Sequence, residues 1–141
     1  MKKKKTYLLF LSLMIFRQTW LYIADGTNTL WIQTFHLYKG FFRKTSYPGL
    51  FIRGSVKEVI PPKLEYKGFR KKNNKKGDVL RTLLVRARFS SRKKDNSSII
   101  FFSNDAVLIK KKMDFRSKYL YGPLATSLKR KRILSLFSYY F

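Results

Sequence analysis

The residues best suited to chemistry in this chain are bases, and they are grouped in four runs. Lys and Arg supply seven of the fourteen residues in 63–76, five of the nine in 86–94 and five of the nine in 110–118. A fourth run, Lys129–Arg132, consists of bases alone. Clustered cations repel one another, whereas a polyphosphate partner releases counterions for each phosphate that is neutralised. The four runs together therefore predict a polyanionic partner.

Catalytic chemistry is not indicated. The only histidine, His36, stands between Phe35 and Leu37 in an apolar segment, with no evident partner. The acidic residues are separated singletons: Asp25, Glu58, Glu65, Asp78, Asp95, Asp105 and Asp114. Activated nucleophiles and metal sites need clusters of such groups, and no phosphate-binding glycine loop or nucleophile elbow occurs. We therefore expect no enzyme activity, no cofactor and no metal, and a structural or RNA-facing His36.

Composition narrows the choice of partner. The chain has 141 residues, with 32 Lys and Arg against 7 Asp and Glu, and so carries a formal charge of +25. Even if each acid paired once, most bases would remain, and nucleic acid or anionic membrane must supply the counter-charge. The absence of cysteine excludes disulfides and thiolate zinc sites. The length and the 45% of hydrophobic residues predict one domain with a real core.

The bases are positioned by short strands that alternate with turn residues. Trp20–Ala24 and Thr29–Tyr38 flank a turn at 25–28 and predict a hairpin. Further strands are predicted at Phe51–Ile60, which ends at two prolines, and at Val79–Phe89. Shorter strands are predicted at Ile99–Phe102 and Ala106–Ile109, and a helix from Thr126 or Ser127 to about Leu136, after the break at Gly122-Pro123.

These elements predict a mostly β fold: a five-stranded, closed and mostly antiparallel barrel with small C-terminal helices and long basic loops. One face of the Val79–Phe89 strand is apolar: Val79, Leu83, Val85, Ala87 and Phe89. Arg86 and Arg88 fall on the other face, so the strand is expected to run from the core to a charged surface.

The N-terminal end differs from the rest. Lys2–Lys5 precede an apolar run, Tyr7–Phe16, which is too short for a membrane-spanning helix and has no small-residue cleavage site after it. We expect residues 1–14 to be a retained extension and residues 15–141 to form a single β-barrel domain. The alternative is a cationic membrane-associated protein anchored by the apolar run.

One stretch of the chain has a specific motif. The segments Thr82–Val85, Arg86–Lys94, Asp95-Asn96, Phe101, Asn104 and Val107-Leu108 resemble, without a gap, the signature of large-subunit ribosomal protein fourteen. Thr82 replaces a small residue and Asn96 replaces the turn glycine; asparagine tolerates left-handed backbone angles, so the turn can survive.

The resemblance extends over about residues 15–137. Further matching segments are Ile23–Thr27, Gly40–Gly49 with its basic pair Arg43-Lys44, Lys57–Pro61, Lys76–Leu80 and Tyr121–Pro123. Gly26 and Leu50 depart from the family pattern. The expanded basic loop 62–76 and the N-terminal extension lie outside it.

The resemblance implies a structural protein of the large ribosomal subunit that binds ribosomal RNA and lies on the intersubunit face. It implies a bridge to small-subunit RNA, contacts with ribosomal proteins nineteen and three, and docking of a silencing factor. The lack of a transit peptide, the extension and the long loop lead us to expect a mitochondrial ribosome and synthesis inside the organelle, with plastid or bacterial cytoplasm as alternatives. No membrane partner is expected.

The residues predicted to contact RNA are lysines and arginines, most of them in the loops. Those at matching basic positions of the family are Arg43, Lys44, Arg86, Arg88, Arg92 and Lys93. The bases taken from the four runs alone are Lys63, Lys67, Arg70, Lys71, Lys72, Lys75, Lys76, Lys94, Arg116, Lys118, Arg130 and Arg132.

Overall fold

A computed structural model describes residues 14–40, 42–61, 73–110, 114–125, 128 and 139–140, with side chains 91, 92, 139 and 140 left out. Within these ranges the chain forms nine strands: β1 (Trp20–Ile23), β2 (Thr29–His36), β3 (Phe51–Val59), β4 (Val79–Arg86), β5 (Ser91–Arg92), β6 (Ser98–Ile99), β7 (Asp105–Ile109), β8 (Tyr119–Leu120) and β9 (Tyr139–Tyr140). The predicted hairpin and three of the strands predicted after it, Phe51–Ile60, Val79–Phe89 and Ala106–Ile109, are confirmed with small shifts in their ends.

Five of these strands close into a barrel in the order β1-β2-β3-β4-β7. Neighbouring strands are antiparallel, except that β7 pairs with β1 in parallel, with Tyr22 opposite Asp105. Closure leaves no edge of the main sheet unpaired. The predicted five-stranded, mostly antiparallel barrel is therefore confirmed. Two small sheets lie beside it, antiparallel β5-β6 and parallel β8-β9.

The barrel interior is filled by aliphatic side chains from alternate strand positions. The buried members are Ile15, Leu21, Ile23, Ile32, Leu37, Ile52, Val56, Leu80, Leu84, Ala87, Ala106 and Leu108. Gly54 in β3 is required here, because a Cβ at that position would lie 2.1 Å from Cγ2 of Ile32. Burial of so much aliphatic surface supplies the main stabilisation of the barrel.

A second apolar cluster lies outside the barrel, on the outer face of β4 and β7. Its buried members are Leu83, Val85, Val107, Ile109, Leu120, Ala125 and Leu128. The last three come from the C-terminal segment, which covers this face. Strands β4 and β7 are thus buried on both sides, as in the middle layer of a three-layer structure.

The structure corrects the prediction of which side chains of β4 face the core. Val79 is exposed, and Leu80 and Leu84 lie inside the barrel instead. Arg86 is only 7% exposed, so its predicted position on a charged surface is wrong. A register shift against β7 occurs between Leu84 and Arg86, and the returning chain covers the outward side chains.

The structure bears only in part on the strand predicted at Ile99–Phe102 and on the predicted C-terminal helix. Of the strand predicted at Ile99–Phe102, only Ser98–Ile99 is paired, and Phe102 is exposed. Apart from Leu128, the C-terminal helix that we predicted lies outside the described residues. Ile15, at the predicted start of the domain, is fully buried. In the part of the chain that the structure describes, no helix has the length and apolarity to cross a membrane.

Candidate nucleic-acid interface

The directions of the strands sort the basic loops into two groups. Strands β1, β3 and β7 run one way, and β2 and β4 run the other. The connections 37–50 and 87–104 therefore emerge at one end of the barrel, here called the lower end. Residues 24–28, 60–78 and those after β7 emerge at the opposite, upper end. Among the described residues, the basic residues of 42–50 and 88–94 therefore lie at the lower end, and those of 73–76 and 114–118 lie at the upper end.

The lower end is shaped by a sharp bend after β2. Tyr38, Lys39 and Gly40 follow one another with φ of 53°, 60° and 108°. Such left-handed angles are costly for residues other than glycine and mark a constrained loop. Farther along, Arg43 Nε donates a hydrogen bond of 2.8 Å to the Thr45 carbonyl, while Lys44 is exposed. The guanidinium of Arg43 is thus oriented by the backbone.

This bend forms one wall of a pocket of about 290 Å³ with an apolar floor and three cations. Its lining residues are Leu37, Tyr38, Lys39, Arg43, Leu50, Phe51 and Arg81. The Arg81 guanidinium carbon lies 5.8 Å from the centre of the Tyr38 ring, within the range of a cation–π contact. An apolar floor beneath cations suits a nucleotide, whose base is apolar on its faces and whose phosphate is anionic.

Like charges also face one another beside this pocket. Arg53 of β3 is directly opposite Arg81 of β4. Like charges at opposed cross-strand positions destabilise a sheet unless something neutralises them. Sequence reasoning missed Lys39, Arg53 and Arg81 because they stand outside the basic runs. For Arg53 and Arg81, the signal is a basic residue between two buried residues of β3 or β4; no sequence signal marks Lys39.

A two-stranded arm carries the second set of lower-end bases. Strands β5 and β6 pair across a turn in which Lys93 N donates to the Ser97 carbonyl at 2.8 Å. Asn96 has a φ of 65°, which confirms that asparagine can replace the turn glycine. Asp95 accepts hydrogen bonds from Ser97 N and Oγ, and these bonds lower the pKa of Asp95. Lys93 and Lys94 are exposed at this turn.

Two further arginines of this connection are placed differently. Arg88 is exposed, and its Nε donates to the Phe102 carbonyl at 2.5 Å while its backbone N donates to Asn104 Oδ1. The backbone of Arg92 pairs with Ser98 in the arm. Arg88 and Arg92 thus belong to the lower end together with Lys93 and Lys94.

Arg86 does a different job. Its Nε donates to Asp105 Oδ2 at 2.5 Å, and its Nη1 donates to the carbonyls of Tyr121 and Pro123, each at 2.8 Å. Both partners of the ion pair are buried. The guanidinium therefore fastens the C-terminal segment to the barrel and is not available to a phosphate. We leave Arg86 out of the interface proposed below.

At the upper end, two basic segments that are distant in sequence meet at Asn74. This buried amide donates from Nδ2 to Thr29 Oγ1 at 2.8 Å, and its Oδ1 accepts from Arg116 Nη1. Asn28 binds the Asn74 backbone in both directions. The described parts of these two segments, 73–76 and 114–118, therefore converge on the β1–β2 turn. Nothing in the sequence marks Asn74 for this role, because its partners come from the β1–β2 turn, the start of β2 and the segment after β7.

The bases at the upper end differ in their freedom. Lys75 and Lys76 are exposed beside the turn at Gly77, which has a φ of 92°. Lys118 is exposed, whereas Arg116 is half-buried by its bond to Asn74. The remaining predicted contacts lie outside the described residues: Lys63, Lys67, Arg70, Lys71, Lys72, Arg130 and Arg132.

Asp25 closes the seam between β1 and β7. Its Oδ2 accepts from Leu108 N at 2.9 Å and its Oδ1 accepts from Thr27 N and Oγ1. Burial raises the pKa of Asp25, against the opposing effects of these bonds and of nearby Arg116. Asp25 is thus a structural acid. Across the described residues, no group of three His, Asp or Glu could hold a metal ion.

The fold and its charges define a small cationic β-barrel with basic loops at both ends. The family described as ribosomal protein L14p/L23e matches residues 14–140. The large ribosomal subunit protein uL14m of Tetrahymena pyriformis is 34% identical over 126 residues, which cover 88% of this chain and 97% of that protein. The chain therefore belongs to the ribosomal protein L14p/L23e family, as the sequence resemblance indicated, and it has a structural role in the large ribosomal subunit.

Proposed function

We propose that this protein binds ribosomal RNA through the exposed bases at both ends of its barrel and so holds distant RNA segments in fixed relative positions. The observation that carries the proposal is the lower-end pocket, where Lys39, Arg43 and Arg81 surround an apolar floor. A rigid barrel spaces these groups, so phosphate contacts set the register and RNA shape supplies selectivity.

The two ends contribute unequal contacts to this clamp. At the lower end, the Tyr38 ring lies in the pocket lining, 5.8 Å from the Arg81 guanidinium carbon, and offers an aromatic surface for contact with a base. At the upper end, exposed Lys75, Lys76 and Lys118 are suited to phosphate contacts alone. We therefore assign base stacking to the lower end.

Family membership supports a further proposal about the position of the protein in the ribosome. We propose a position on the intersubunit face of the mitochondrial large subunit, with a bridge to small-subunit RNA and contacts with ribosomal proteins nineteen and three. Family membership supports the subunit, and the name uL14m of the Tetrahymena relative supports the organelle. For the expanded loop 62–76 we propose contact with RNA or protein particular to that organelle; deletion of 63–72 should then impair assembly into subunits.

Charge reversal in purified large subunits tests the RNA contacts. Subunits that carry Lys44→Glu, Lys93→Glu and Lys94→Glu should release the protein at lower salt than wild type, because lost phosphate contacts weaken binding. Each lost contact should also reduce the slope of log affinity against log salt concentration by roughly 0.7–0.9. Lys57→Glu, a reversal outside the proposed set, is the control. Equal retention of both variants through a salt gradient would contradict the proposal.

A further inference from the structure

The outer face of β1 and β2 carries an aromatic patch that the proposed RNA contacts do not use. Its members are Trp20, Tyr22 and Trp31, which are 46%, 39% and 36% exposed. No segment in the described ranges covers them as the C-terminal segment covers β4 and β7. Large exposed aromatic side chains grouped on one face are typical of binding sites.

The rings in this patch stand edge to face. The centres of Trp20 and Trp31 are 6.5 Å apart with planes at 68°, and those of Tyr22 and Trp31 are 5.5 Å apart at 71°. Rings that cross at such angles form the walls of a corner. Together with Glu58, the two indoles line a cavity of about 230 Å³.

A β-bulge places the carboxylate of Glu58 in this corner. Ile32 is opposite Val56, so regular pairing would put Lys57 opposite Trp31. The register instead shifts between Trp31 and Ile32, and Glu58 becomes the partner of Trp31. Bulges re-aim side chains in this way and are enriched at binding sites. The shift exchanges a cation for an anion beside two indole rings.

Glu58 is an exposed acid of β3, and in the described part of the structure it forms no ion pair. Indole faces attract cations through the ring quadrupole, and a carboxylate adds Coulomb attraction at the same point. The corner thus combines two features that favour a positive side chain.

We propose that Trp20, Trp31 and Glu58 form a docking site for a Lys or Arg side chain of a neighbouring protein. This site goes beyond the proposed RNA contacts and does not depend on them. An RNA base is disfavoured, because Glu58 repels the phosphates beside it and the crossed indoles offer no parallel stacking platform. A basic side chain of another protein is the occupant that the exposed carboxylate and the two indole rings favour.

The chain offers a direct optical test, because its two tryptophans are both in the proposed site. Tryptophan fluorescence of the full-length protein is followed during titration with a short lysine–alanine peptide, the same peptide with acetylated lysines, and oligouridylate. A salt concentration of about 0.3 M limits repulsion from distant bases to roughly 6 Å. We expect a saturable change with the lysine peptide and none with its acetylated form.

Three variants in the patch locate the effect, and a fourth outside it is the control. Glu58→Gln should weaken peptide binding about threefold to fivefold, as for an exposed charge pair, and Trp31→Ala should weaken it by at least about as much through loss of the cation–π contact. Trp31→Phe, which keeps a ring, should retain part of the affinity. Asp114→Asn makes the same charge change as Glu58→Gln at an exposed position outside the patch, and should bind like wild type.

Each other result overturns the proposal. A response to oligouridylate with none to the lysine peptide would make the patch an RNA contact. Equal binding by the Glu58→Gln and Asp114→Asn variants would reduce the effect to net charge, and the absence of any response would remove the site. None of these results bears on salt release of the Lys44, Lys93 and Lys94 variant, so the two proposals fail separately.

Discussion

Two outer faces of one barrel have opposite fates. On β4 and β7, the outward side chains Val85 and Val107 are buried beneath Leu120 and the rest of the C-terminal segment. On β1 and β2, the outward side chains Trp20 and Trp31 remain partly exposed. Both faces are built from the same pleated alternation. The outward positions of a barrel are therefore core or interface according to whether another part of the chain returns to cover them.

The covered face also explains the buried arginine. Arg86 donates hydrogen bonds to Asp105 and to two carbonyls of the returning segment, and Ser103 Oγ donates to the same Asp105 oxygen. A buried ion pair of this kind is weak evidence for stability as such, but removal of one partner is expensive. The pair thus determines how the segment is held, whereas no segment in the described ranges covers the outer face of β1 and β2, here called the bare face.

The largest effect is expected from Asp105→Ala on the covered face. It leaves the Arg86 guanidinium buried without its counter-charge, which should lower the free energy of unfolding by about 3–5 kcal/mol. Urea denaturation of the full-length protein measures it. The double variant Arg86→Met with Asp105→Leu should recover much of this loss; a double variant as unstable as the single one would show that the charges are not the cause.

The next largest effect is a difference in stability cost between a buried leucine on the covered face and a partly exposed tryptophan on the outer face of β1 and β2. Leu120→Ala should cost about 2–5 kcal/mol, because it opens a cavity beneath a fully buried side chain. Trp31→Ala should cost only about 1 kcal/mol, the typical value of lost edge-to-face contacts at a partly exposed site. Thermal unfolding of both variants tests the contrast. Equal destabilisation would mean that the bare face carries part of the core.

Gly122→Ala sharpens the comparison at a single atom. Gly122 has a φ of 83°, and an added Cβ would lie 2.5 Å from Arg86 Nη1, so we expect a loss of roughly 1–3 kcal/mol. Gly40→Ala is the matched control, since its φ is 108° but nothing lies within 4 Å of the added Cβ. The excess loss in the Gly122 variant reports the contact with Arg86. Equal chemical stabilities would show that only backbone angles matter.

The smallest effect is expected at the seam between the two faces. Because burial raises the pKa of Asp25 above 3.8, the protonated form is favoured in the folded state. Its contribution to stability is complete below about pH 3.8 and is lost as the pH rises through the raised pKa. Asp25→Asn removes this dependence.

The test is to measure the free energy of unfolding of wild type and of the Asp25→Asn variant from acid to neutral pH. The two curves should diverge as the pH rises. Wild type should lose stability relative to the variant as the pH rises. Parallel curves would mean that the hydrogen bonds from Thr27 and Leu108 fully offset the burial of the carboxylate.

Local patterns predicted much of the fold. Alternation in β1 to β3, the turn at 25–28 and the left-handed Asn96 are short-range features, and the structure confirms them. The faces of β4 were predicted wrongly, because the residues that bury Arg86 are 35 and 37 positions away. The same distance problem hid Asn74, which joins Arg116 across 42 positions.

The sequence by itself determined that the protein is a cationic β-barrel and predicted a polyanionic partner, since charge excess and strand periodicity are properties of composition and neighbouring residues. Only the tertiary structure decided which bases are free to act. Arg86 and Arg88 are two residues apart, yet one is fastened inside and the other is exposed. Burial and register depend on which distant segments pack together, and that choice is made by the closed barrel and the chain that returns over it.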